Sequence, residues 1–367
     1  MIQFLDNLNR EQKNALKQSW VLLVDAISRE TSLVGKHVAD SSYGDELFRA
    51  IGYDDPDVLL LRWLRSRYWS VSGTISQIVE TLKWRCAWGV QALVACGERA
   101  ISQDELATGK TYFMGHDKVG RPVCCIHPKE HIKGQFSPED SEKLTVFCVE
   151  TYRKLLKPPI ESVTVIFDMA GCTMRNMDFH QVKFLIDLLD NYYPDSLGNI
   201  LILNFPWVLE RCWRIIKAWL NATIQKKVHF IRTDTELSEF VDLSVLPQRL
   251  NGNQPDFRYI PPTIEDEKMF AAFQEDIEGK SKAEIAHRDA VRDYLGATLQ
   301  WAHGDDSRRA ISERARYRDQ LNKAFEQLSP YISTRTYYHR IGIIDEPIFQ
   351  IAYNRLQEAK EPDVTRF

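Results

Sequence analysis

The sequence has no Cys-x-x-Cys pair, no uninterrupted apolar run approaching the ~18 residues that a membrane-crossing helix needs, and no excess of basic charge. Each absence excludes something. Only Cys124 and Cys125 are neighbours among the seven cysteines, and adjacent cysteines do not bridge easily. The set therefore reads as buried thiols in a reducing compartment rather than a disulfide framework. With 47 basic against 51 acidic residues, a net charge of -4 and a pI near 6.2, the chain offers no general field to nucleic acid, so any anion site must be local. The opening MIQFLDNLNREQK lacks a basic segment followed by an apolar one, and it reads as neither a secretory leader nor an anchor. No internal repeat, low-complexity tract, Gly-x-Ser-x-Gly element, phosphate loop or paired-cysteine zinc pattern is visible.

What is present is an ordinary globular composition, 44% apolar and 27% charged over 367 residues, enough for one large domain or two ordinary ones. Three regions follow. In residues 1–110 apolar side chains recur at helical spacing, as in Ile75, Ile78, Val79, Leu82 and Cys86, and DDPDVLLLRWLRSRYW begins with an acidic, proline-bearing helix start. The plain reading of Arg62, Arg65 and Arg67 there is a solvated helix face. In residues 111–260, RPVCCIH, SVTVIFDM and NILILNF read as short strands, the last two of them buried. Between them lie the helices SPEDSEKLTVFCVETYRKLL and MDFHQVKFLIDLLDNYY, and this alternation predicts an α/β unit with a mainly parallel sheet. Residues 261–367 turn charged and helical, with loops expected around Gly279 and His303 to Asp306.

Two segments invite a functional reading from their residues alone. WVLERCWRIIKAWL carries an aromatic and aliphatic stripe, with Glu210, Arg211, Arg214 and Lys217 off it. Such a helix either packs on a sheet or closes an apolar cavity and meets a membrane, because tryptophan and basic side chains suit the water–lipid boundary. HPKEH at 127–131 matches the letters of an inverted zinc-peptidase motif. A strand-like segment directly before it, Pro128 inside it and Gly134 just after leave no room for a metal-bearing helix, so no metal site and no enzyme are expected.

LLRWLRSRYWSVSGTISQIVETLKWR, GHDKVGRPV, FDMAGCTMRNMDFHQVKFLIDLLDNYYPDSLGNILILNFPWVLERCWRIIKAWLNATIQKKVHF and ELSEFVDLSVLPQRLNG, in that order over residues 55 to 252, resemble the CRAL-TRIO lipid-transfer family. They are most similar to its fungal phosphatidylinositol transfer proteins. The SPYISTRTYYHRIGI region also resembles the extension of a squalene-associated fungal branch. The resemblance implies a helical N-terminal module, a mixed α/β module with a gated hydrophobic lipid pocket, and a helical C-terminal extension.

Carried over by position, the family's inositol-phosphate signature falls on Arg67, Asp195 and Lys227. Tyr68 and Ile224 replace the usual lysine and threonine, and Lys226 stands as a compensating charge. The gate falls at residues 207–221, with Trp207, Trp213, Ile216, Trp219 and Leu220 on its apolar side. The family's phosphatidylcholine signature is missing: Val163 and Val165 stand where hydroxyl side chains are usual, and Cys124 and Phe113 where tyrosines are usual, with Phe167 beside them as pocket lining. The resemblance thus implies phosphatidylinositol as bound ligand, no other cofactor, and a second lipid more apolar than phosphatidylcholine, such as a sterol, squalene or another neutral lipid. It further implies transient membrane contact, no nucleic-acid partner and a monomer. The expected place is the cytoplasm, peripherally on endoplasmic reticulum, endosome or lipid droplet. Two alternatives remain: a scaffold or sensor that presents lipid to an inositide kinase, and a neutral-lipid binder without inositide activity.

Overall fold

The structure, a computed structural model, describes residues 7–31, 37–156 and 159–346. The first six residues of the segment read for a leader, and the stretch 347–367 of the C-terminal extension, lie outside the described residues. Along the chain come helices α1 (Arg10–Glu30), α2 (Ser42–Ile51), α3 (Pro56–Ser66), α4 (Val71–Trp88), α5 (Val90–Cys96) and α6 (Gln103–Ala107). Strands β1 (Thr111–His116) and β2 (Pro122–Ile126) precede α7 (Pro138–Leu155), β3 (Val163–Asp168), α8 (Phe179–Asp187) and β4 (Leu197–Leu203). Then follow α9 (Glu210–Trp219), α10 (Ala222–Gln225), β5 (Val228–Ile231), α11 (Asp234–Phe240), α12 (Ile264–Glu275), α13 (Ile277–Ala302), α14 (Arg308–Ile332) and α15 (Tyr337–Arg340).

These elements form two compact units. The described residues of Met1–Ala95 join Thr263–Thr334 in the first, and Cys96–Pro262 joins Arg335–Asp345 in the second. The C-terminal region read from sequence as one extension is thus divided between them.

The first unit is all helical. Asn9 and Gln12 close a reciprocal capping box on α1, and Asp55 caps α3 with Pro56 in its first turn, where the missing N–H costs nothing. Leu16, Trp20, Leu60, Ile78, Tyr294 and Leu295 meet in the core, so α13 completes what the N-terminal helices begin. At its centre Asp57, 4% exposed, accepts from Trp20 Nε1 at 2.7 Å and from both terminal nitrogens of Arg314 at 2.8 and 2.6 Å. Two sequence expectations need correcting here. Arg62 is not on a solvated face; it is 7% exposed and its guanidinium reaches Asp54 at 3.4 Å. The break expected at Gly279 falls instead at Asp276, whose carboxylate caps α13 through the Gly279 N–H at 2.9 Å. A capping acid outweighs a glycine as the punctuation mark because it satisfies an orphan donor.

The second unit is a five-stranded sheet in chain order, β1 antiparallel to β2 and the other neighbours parallel. Parallel neighbours need crossovers, which α7, α8 and α9 supply. The period of two divides the strands cleanly. Tyr112, Cys125, Ile166 and Leu201 are in register and pack on one face with Leu237, Val241 and Leu246. The alternate row points to the other face, where the cavity lies.

Candidate functional site

That alternate row runs unbroken through all five strands. Phe113 is paired with Cys124, Cys124 with Val165, Val165 with Ile200, and Ile200 with Val228. All five line one cavity, whose empty volume is about 1810 Å³ including its open mouth. Val163 and Phe167, two residues either side of Val165 along β3, line it as well. The adjacent cysteines therefore part company: Cys124 faces the cavity and Cys125 the opposite core, as neighbouring strand positions must. The roof comes from Leu144, Cys148 and Val149 of α7 and from Val182, Leu185 and Ile186 of α8. The apolar face of α8 thus borders a cavity rather than a filled core, and none of its side chains is fully buried.

Polar groups at one end of this cavity are already neutralised. Lys110 Nζ donates to Glu105 Oε1 and lies 3.4 Å from both His131 Nδ1 and Ser141 Oγ. Burial, reinforced by the Lys110 charge, lowers the His131 pKa and keeps its imidazole neutral at physiological pH. His127, fully buried, sits with Nε2 3.0 Å from the Tyr112 hydroxyl and Nδ1 3.4 Å from Asp168, a bridge between the ends of β2 and β3. The letters of HPKEH accordingly fall on a short turn, Pro128–Glu130, rather than on a helix. Burial pushes the Cys148 thiol up to about 12 and the Cys124 thiol well above its ordinary value. Both stay protonated and act as small apolar surface. The wall is built to solvate hydrocarbon.

The segment read from sequence as a gate divides by position. A tight turn, Trp207–Leu209, precedes α9, and Trp207 is 86% exposed, so it covers nothing inside. Trp213, Ile216 and Leu220 line the cavity with Cys212. Trp219 lies off that lining, its ring edge-on to Phe179 at 5.9 Å. Trp213 meets Phe230 of β5 edge-on at 5.2 Å, and Phe230 also meets Phe205 at 5.3 Å. On the outer side Ile215 is 47% exposed beside exposed Arg211, Arg214 and Lys217. The two pairs that α9 makes, Trp213 with Phe230 and Trp219 with Phe179, add roughly 0.5–1.5 kcal/mol each beyond the area they bury.

The residues assigned to the headgroup fall in both units. In the first, Arg67 caps the C-terminus of α3, and its buried Nε has no hydrogen-bond partner among the described residues. Tyr68 and Trp69 follow with φ of 51° and 64°, and the Trp69 N–H bonds the Leu64 carbonyl at 2.7 Å. This is a Schellman turn made without glycine, and it leaves Tyr68 83% exposed. In the second unit the helical turn after α8 loosens to π geometry over Leu188–Tyr192, and the chain reaches Asp195 at φ 56°. There Asp195 and Lys227 come together, Oδ1 to Nζ 4.0 Å, while Nζ also donates to the Leu197 carbonyl. Burial lowers the Lys227 pKa, Asp195 opposes this, and the Arg121 charge adds to it. Ile224 lines the cavity and Lys226 is exposed. Arg121 is the cation that sequence reasoning missed. Its side chain lies across Gly198, where an added Cβ would fall 2.5 Å from the Arg121 Cδ, so the glycine in YYPDSLG was the available signal.

Known proteins are similar to this chain in sequence. The CRAL/TRIO domain matches residues 106–252. A CRAL-TRIO domain-containing protein of Schizosaccharomyces pombe is 35% identical over 302 residues, 80% of this chain and 67% of its own length. Phosphatidylinositol transfer protein CSR1 of Eremothecium gossypii is 29% identical over 84% of this chain and 73% of its own length. A second CRAL-TRIO domain-containing protein of S. pombe is 22% identical over 91% of this chain and 96% of its own.

Proposed function

The chain belongs to the CRAL-TRIO family, and from that premise we propose that it carries phosphatidylinositol between membranes in the cavity of its second unit. The observation that supports this most is the single apolar row, Phe113 to Val228, that spans every strand beneath the gate. Burying a methylene is worth about 0.8 kcal/mol, so drawing two acyl chains into water costs on the order of 20 kcal/mol or more. A protein that lowers this barrier needs an apolar cavity, a door and a few polar groups for the headgroup, and no nucleophile.

The headgroup contact in this reading is Lys227 for the phosphodiester, with Asp195 accepting from the inositol hydroxyls. Arg67 enters from the resemblance alone. Val163, Val165, Cys124 and Phe113 offer no hydroxyl to a choline phosphate, which favours a second ligand more apolar than phosphatidylcholine. The exposed Trp207 and Ile215, flanked by Arg211, Arg214 and Lys217, suit an anionic membrane surface. No described helix is long and apolar enough to cross a membrane.

Vesicle-to-vesicle transfer tests the reading. Lys227→Ala should reduce phosphatidylinositol transfer about tenfold, the worth of one charge-assisted hydrogen bond, while neutral-lipid uptake persists. Equal loss of both would point to a damaged cavity. A lipid-presenting role predicts instead that an inositide kinase is stimulated beyond the amount of lipid moved.

A further inference from the structure

The cavity floor has two ends. The Val228 end lies beneath the gate, where Phe230 meets Trp213. Four inter-strand steps of roughly 4.8 Å put the Phe113 end about 19 Å away, on the edge strand β1. Behind that far end stands a segment of the C-terminal region, which touches Phe113 rather than the cavity itself. Tyr338 of α15, 4% exposed, stands edge-on to Phe113 with ring centroids 5.7 Å apart. Its hydroxyl accepts from the Phe113 N–H at 3.2 Å, the donor that an edge strand would otherwise leave open.

Behind this contact is a second, small hollow, about 350 Å³ when the open solvent at its mouth is included, lined by Tyr338, Tyr337, Phe147, Phe257 and Leu106 among others. Lys110, Thr111, Leu144 and Cys148 line both hollows and form the partition between them. The segment carrying Tyr338 is fastened at Glu98, 2% exposed, which accepts from the Tyr337 N–H, from Arg340 Nη2 and from the Tyr259 hydroxyl at 3.1 Å. Arg340 Nη2 also donates to the Ile260 carbonyl at 2.8 Å.

We propose that the strap Arg335–Asp345 is the back wall of the lipid cavity and that Tyr338 is the stop that sets the longest chain the cavity accepts. The inference rests on the carrier reading above and adds to it a specificity-determining residue. Phe113 is the ring a chain end would meet first, and Tyr338 holds that ring in place. Without the tyrosine ring, Phe113 can turn into the space that ring vacates beside the second hollow, and the chain end follows it. Each further methylene accommodated favours the longer ligand about fourfold, the ratio that corresponds to ~0.8 kcal/mol.

The test loads the full chain from vesicles of phosphatidylinositol and phosphatidylcholine with graded acyl-chain lengths, then reads the extracted lipids by mass spectrometry. Tyr338→Ala should shift the bound population toward longer chains, at least fourfold per methylene at the upper limit. Tyr338→Phe, which keeps the ring, should retain the wild-type distribution. Tyr338→Leu serves if the alanine variant does not fold, with a smaller shift in the same direction. Unchanged lengths in the folded alanine or leucine variant would overturn the proposal, as would loss of all lipid from a folded variant. A wild-type protein that loads lipid while these variants do not lengthen it refutes only the stop. A wild-type protein that takes up no lipid refutes the carrier reading with it.

Discussion

Arg314→Met should destabilise the first unit by about 3–5 kcal/mol, the usual cost of removing one partner from a buried ion pair. The structure shows why the loss is large. Asp57, 4% exposed, would keep the Trp20 bond at 2.7 Å but lose both guanidinium bonds, at 2.8 and 2.6 Å. The substitution also removes a cation 4.4 Å from the Trp301 ring centroid and the donors to Tyr294 and Thr298. Removing the charge on both sides, with Asp57→Asn added, should recover most of the loss, because no uncompensated charge remains buried. Urea unfolding followed by tryptophan fluorescence reads the difference. A single variant within ~1 kcal/mol of wild type, or a double variant no better than the single, would refute the reasoning. The prediction gives the segment 308–332 a task, since Arg314 is how α14 grips the start of α3.

Trp213→Ala removes the Phe230 contact and part of the cavity lining, and should change lipid exchange several-fold while costing the fold no more than about 3 kcal/mol; unchanged transfer by a folded variant would argue against α9 as a gate. His287 is 1% exposed, and burial, aided by the Arg49 charge, lowers its pKa to about 4. The folded value lies below the ordinary 6.5, so the unfolded chain binds the proton first as pH falls. Its contribution is whole above pH ~6.5 and declines toward pH ~4, by on the order of 3 kcal/mol. His287→Phe should flatten that part of the stability profile, and an equally steep profile in the variant would assign the slope elsewhere.

The parts of the molecule that were legible in the sequence are those whose signal is local. SVTVIFDM and NILILNF became β3 and β4 because buried parallel strands need continuous apolar runs, and Ser137-Pro138 announced α7 through its cap. The exposed start of the gate was not legible. The resemblance put Trp207 in the gate helix, but the helix begins only at Glu210, after a turn that Pro206 initiates. Long-range pairings were equally silent. Nothing near Asp57 points to Arg314, and Arg121, whose charge bears on Lys227, lies across Gly198 where an added Cβ would crowd it. Tyr338 lay in SPYISTRTYYHRIGI, whose resemblance to a family extension gave it no role, since its meaning depends on Phe113, more than two hundred residues earlier.

The most direct test of the lipid-carrier account is mass spectrometry of lipids extracted from the purified protein after incubation with a mixed-lipid membrane. The account predicts enrichment of phosphatidylinositol, accompanied by a neutral lipid in place of phosphatidylcholine. A protein that emerges without lipid, or with phosphatidylcholine at a level equal to phosphatidylinositol, would contradict it.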